Sequence, residues 1–99
     1  MSFQNNAMRT AAVRPQTTAC FSVTGLRDPS LLSRLLEPFA KRGLVPSRLH
    51  ATQDQQDTDM VLVDIQMPDM DADLADQIGS GLQQIIGVTE VLVGKKIEL

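Results

Sequence analysis

Ninety-nine residues, 42% of them hydrophobic, allow one domain with one modest core and leave little room for a buried catalytic cleft. The formal net charge is −3, no acid precedes Asp28, and the only aromatics are three phenylalanines, which excludes the basic, aromatic-rich face that nucleic-acid binding calls for. A single cysteine, Cys20, excludes an intrachain disulfide, and no apolar run approaches the roughly 18 residues of a membrane helix, so a cytoplasmic domain away from membranes is expected.

Residues 1–17 carry Arg9 and Arg14 among polar residues, are interrupted by Pro15, and read as a flexible extension before a single domain over 18–96. Residues 18–24 are rich in β-formers, with Phe21 and Val23 on one face, and predict a first strand. Residues 27–43 then give a loop, an amphipathic helix and a stop. Asp28 suits an N-cap and Pro29 the first helical position, where its missing N–H costs nothing. Leu31, Leu32, Leu35, Leu36 and Phe39 follow helical spacing, Lys41 and Arg42 suit the last turn, and Gly43 supplies the left-handed residue that ends it. The loop lies at a helix N-terminus, where backbone amides can meet the carboxylate of a small ligand.

Residues 45–52 predict a strand with Leu49 and Ala51 on one side, held at an edge by Pro46, which cannot donate to a ladder. A polar hairpin loop follows over 53–58. Residues 59–67 alternate Val61, Val63, Ile65 and Met67 against Met60, Leu62, Asp64 and Gln66, the pattern of a sheet covered on one side. Pro68 ends that strand. Asp69, Asp71 and Asp73 crowd a helix start, and Leu74, Ile78, Leu82 and Ile85 give helical spacing through to Gly87. Gly79 and Gly81 lie inside this helix, either to permit close packing or as a soft spot. Residues 88–94 predict the last strand.

The order β-α-β-β-α-β predicts an α+β, ferredoxin-like sandwich: a four-stranded antiparallel sheet with both helices on one face. Cys20, Ser22, Met60, Leu62 and Leu92 fall on the bare face, which is apolar enough to call for a homodimer.

No catalytic constellation stands out. His50 is the only histidine and lacks a positioned partner, and Cys20 has no second thiol to make a metal loop. The acidic cluster Asp69, Asp71, Asp73 and Asp76 matches no calcium-loop spacing and reads as helix-start charge. Asp64 would need a donor such as Arg48 across the sheet if it faced a partner. RNA-recognition domains share this topology but stack bases on central aromatics, where this chain has Phe21 alone. No catalytic residue, metal or cofactor is expected.

The run Arg27-Asp28-Pro29-Ser30-Leu31-Leu32-Ser33-Arg34, followed by Arg42-Gly43-Leu44-Val45-Pro46, resembles the ACT domain, a small-molecule-sensing module of amino-acid metabolism. Within it the chain is most similar to the regulatory small subunit of acetolactate synthase, whose strand leads into Asn-x-x-Gly-x-Leu-Ser-Arg and whose helix ends Arg-Gly-x-Asn-Ile. Residues 82–91 resemble that family's last helix and strand, and the likeness covers 18–94. The resemblance implies an amino-acid effector at the first loop and the start of the second strand: Arg27, Asp28, Pro29, Ser30, Leu31 and Val45. The family's loop glycine corresponds to Ser30, and its two effector-holding asparagines to Arg27 and Val45. It also implies a homodimer, with the first loop of one chain near the second strand of the other, and a partner: the large, thiamine-diphosphate-dependent catalytic subunit. Two alternatives stay open, a free-standing ACT sensor of another amino acid and a purely structural dimerisation module.

Overall fold

The computed structural model describes residues 16–98. Its elements run β1 (Gln16–Leu26), α1 (Leu31–Ala40), β2 (Arg48–Gln53), β3 (Met60–Pro68), α2 (Ala72–Gln83) and β4 (Val88–Glu98). The sheet order is β2-β3-β1-β4 with every neighbour antiparallel, which makes the chain a ferredoxin-like βαββαβ sandwich. β1 begins at Gln16, two residues inside the segment read as an extension; residues 1–15 lie outside the described residues.

The register puts odd-numbered strand residues on the helix side. Ala19, Phe21 and Val23 of β1 and Val63, Ile65 and Met67 of β3 are buried there, against Leu31, Leu35 and Phe39 of α1 and Ala75, Ile78 and Leu82 of α2. Phe21 and Phe39 meet edge to face, with ring centroids 5.4 Å apart. The other face carries Cys20, Ser22, Leu62 and Leu92, as the alternation requires, and Leu62 and Leu92 are exposed.

Several boundaries move for physical reasons. Helix α1 starts at Leu31, because Asp28 and Pro29 are spent in a turn closed by the Leu31 N–H on the Asp28 carbonyl. Gly43 closes it as expected with φ 72°, and the Gly43 and Leu44 N–H groups donate to the Ala40 and Phe39 carbonyls, but the helix ends at Ala40, so Lys41 caps it and Arg42 lies beyond its last turn. Pro38 sits inside the helix, where it removes a donor to the Arg34 carbonyl. β2 forms only from Arg48, beyond Pro46, and all six of its residues are exposed. Leu49 and Ala51 do face the helix side, opposite Ile65 and Val63, but no helix covers them. Asp71 caps α2, its side chain accepting from the Asp73 and Leu74 N–H groups, and the helix stops at Gln83, four residues short of Gly87.

Asp64 is not paired with Arg48. The register places Arg48 opposite Gln66 and His50 opposite Asp64, and the Asp64 carboxylate accepts instead from the Ser22 hydroxyl at 3.3 Å.

Candidate functional site

The turn between β1 and α1 is built around two charged residues. Asp28 folds its carboxylate back onto Ser30, accepting from the backbone N–H at 2.9 Å and from the hydroxyl at 3.0 Å. Arg34, one turn into α1, reaches back over the same loop. Its guanidinium donates to the Ser30 hydroxyl at 2.9 Å, lies 3.5 Å from the other Asp28 oxygen, and donates at 2.9 Å to the Ile86 carbonyl in the turn before β4. One side chain thus ties the β1–α1 loop to the α2–β4 turn. The Leu26 N–H on the Gly87 carbonyl, at 2.8 Å, joins the same two segments.

The Ser30 backbone N–H, then its hydroxyl, and the nearby Arg34 cation hold Asp28 below the ordinary carboxylate value, outweighing lost hydration. A lowered value in the folded state means the loop contact is at full strength above the unfolded-state value and is lost as pH falls through the folded one. The protection of the Ser30 amide against exchange, taken relative to its intrinsic rate at each pH, is expected to fall only below the usual carboxylate range. The Asp28→Asn chain should show no such step.

Arg27, Asp28, Pro29 and Leu31 come together, with Leu32, Ala51 and Val61, around an open cavity of about 440 Å³. Its lining is mostly apolar, with Arg27 and Asp28 as its charged members. Arg27 lines it, and its guanidinium lies 3.5 Å from the Gln53 side-chain oxygen. Ala51, on the uncovered inner side of β2, therefore forms part of one wall of this cavity.

Two of the residues drawn from the resemblance stand apart. Ser30 does not line the cavity, and its N–H and hydroxyl are both taken by Asp28. The loop amide that the sequence offers to a ligand carboxylate here donates to the protein's own Asp28 carboxylate. Val45 is 83% exposed and precedes β2, whose far end, at Gln53, is the one near Arg27. Within one chain it does not join the cavity.

Arg34, Leu32, Ala51 and Val61 were missed as site residues. An arginine one turn into a helix gives no local sign of which carbonyl it will find 52 residues later. Leu32 and Ala51 read as ordinary apolar positions until β2 is left without a helix above it. Replacing Arg34 with alanine is expected to cost about 1–2 kcal/mol in urea unfolding, the scale for losing charge-assisted hydrogen bonds at a half-exposed position. The loss should fall on the β1–α1 loop and the α2–β4 turn in hydrogen exchange.

Among the described residues no group of three or more His, Cys, Asp or Glu is placed to hold a metal ion, and no helix is long and apolar enough to cross a membrane. The sequence profile of the ACT-like domain matches residues 12–98. The chain belongs to the ACT-like domain family. ACT domains are regulatory, small-molecule-sensing modules, and the βαββαβ sheet and the cavity beside the β1–α1 loop sit within the matched span. A search of the curated proteins gives no match to this ACT-like chain.

Proposed function

We propose that this chain is a regulatory, activating small subunit of acetolactate synthase in branched-chain amino-acid biosynthesis, cytoplasmic, homodimeric and without catalytic activity of its own. The observation that carries the regulatory reading is an open cavity lined by Arg27 and Asp28 together with Leu31, Leu32, Ala51 and Val61, in an ACT-like chain. An amino acid matches that chemistry. Its carboxylate would meet Arg27, its ammonium the Asp28 carboxylate, and an aliphatic side chain the wall. Ser30 and Val45 change the site relative to the small subunits it resembles. The Ser30 N–H is committed to Asp28, so Arg27 becomes the carboxylate partner, and Val45 would reach the cavity only from a second copy. The choice of acetolactate synthase is supported by the likeness of residues 27–46 and 82–91 to its small subunits.

The direct test is reconstitution with a catalytic large subunit from the same source. Co-purification with the tagged chain and raised synthase activity are the expected results; unchanged activity with no association contradicts the assignment.

One observation favours a second reading. Because Asp28 already satisfies the loop amide, the site is complete without a ligand, as it would be in a structural dimerisation module. Arg27→Ala separates the two. It abolishes ligand response in a sensor and changes nothing in a structural module.

A further inference from the structure

The second halves of α1 and α2, with the turn after α2, line an open groove of about 330 Å³ that shares no lining residue with the Arg27 cavity. Gly81 leaves its α2 side open: a methyl group there would meet nothing within 4 Å. Three isoleucines make up most of its apolar lining. Ile78 is fully buried, Ile85 packs half-buried against the core, and Ile86 in the turn is 84% exposed. Arg34 holds that turn in place by donating to the Ile86 carbonyl.

The groove is charged opposite to the chain that carries it. The whole sequence has a net charge of −3, but the lining sets Arg34, Lys41 and Arg42 against one acid, Glu37. Arg34 is paired with Asp28. Among the described residues Lys41 and Arg42 are in no ion pair, with Glu37 or any other acid. The Arg42 guanidinium donates only to the Pro38 carbonyl, at 2.7 Å, and the Lys41 ammonium has no hydrogen-bond partner among those residues.

We infer that this groove is a docking surface for an acidic amphipathic helix of a partner protein. Two packed helices present a groove that a third helix fills with its aliphatic stripe inward. Here the stripe covers Ile85 and Ile86 above the buried Ile78, and carboxylates flanking it meet Lys41 and Arg42. A small anion could pair with the same cations, but small-ligand sites bury most of their ligand. This groove is open and leaves Ile86 to solvent, which a longer partner covers. A basic segment would set like charges together. Since the groove is separate from the Arg27 cavity, the inference does not rest on the effector or the synthase.

Amide NMR spectra of the isotope-labelled full chain, titrated to millimolar concentration with two probe peptides, test it. One probe is an amphipathic helix of leucine, alanine and glutamate, about four turns long; the other has lysine in place of every glutamate. The glutamate peptide is expected to shift the amides of Lys41, Arg42, Gly81, Ile85 and Ile86, and the lysine peptide to leave them in place. Lys41→Gln combined with Arg42→Gln should weaken binding about tenfold. Gly81→Met, whose side chain enters the groove, should weaken it as much with both charges intact; circular dichroism confirms that each variant folds. No shift with the glutamate peptide, or binding that both variants leave unchanged, overturns the inference. Equal shifts from phosphate or octanoate also overturn it, by making the groove a small-anion site. Shifts of the same amides on diluting the chain alone do so too, by making it a contact between copies.

Discussion

Phe39→Ala is expected to cost the fold about 3–5 kcal/mol, roughly a third or more of its whole stability. Phe39 is fully buried on α1 and stands edge to face on Phe21 of β1, rings at 83°, so it joins the first helix to the centre of the sheet. Truncating a buried phenylalanine costs about 3–5 kcal/mol in lost transfer and residual cavity. A domain of this size is stable by only about 5–10 kcal/mol, and this core has no other aromatic pair among the described residues. α1 also carries Pro38, which already costs it a hydrogen bond, so the helix depends on tertiary contact more than most. Urea unfolding checks the figure. Phe39→Leu, which keeps most of the volume, should cost less than half as much.

The two glycines of α2 are expected to respond to alanine with opposite signs. A methyl group on Gly79 would lie 2.5 Å from Val93 Cγ2 on β4, a contact that a stiff, β-branched valine cannot relieve by swinging a flexible end away. Overpacking of this kind costs about 1–3 kcal/mol. The second substitution Val93→Ala should recover part of the loss in Gly79→Ala. Gly81 faces open space, so alanine there gains helix propensity, about 0.5–1 kcal/mol, without any contact to offset it. Thermal unfolding of the two variants should bracket the parent. Equal and small changes in both would mean that α2 does not pack on β4 at Gly79.

Those glycines also mark where sequence reading stops. Period-two alternation in residues 59–67 and helical spacing in 31–39 were enough to assign the buried faces of β3 and α1. Gly79 and Gly81 look alike in one dimension; only the sheet beneath α2 separates a packing glycine from an idle one. The ends of elements were less legible. Whether Asp28 caps a helix or a turn depends on Ser30 and Arg34 engaging its two carboxylate oxygens, and the extension of β4 to Glu98 depends on β1 continuing back to Gln16 beside it. Of the candidate site, the loop Arg27-Asp28-Pro29 and Leu31 were legible because a strand–turn–helix junction is local. Its second wall, Ala51 and Val61, belongs to strands more than 20 residues away in the chain and became visible only with the register of β2 on β3.

Thermal denaturation of the purified chain against single amino acids shows whether the Arg27 cavity takes the amino-acid effector proposed for it. A ligand that binds only the folded state stabilises it by RT ln(1 + [L]/Kd). Valine, leucine or isoleucine is expected to raise the melting temperature of the wild-type chain and to leave that of Arg27→Ala unmoved. No shift with any amino acid, or a shift that survives Arg27→Ala, contradicts the proposal.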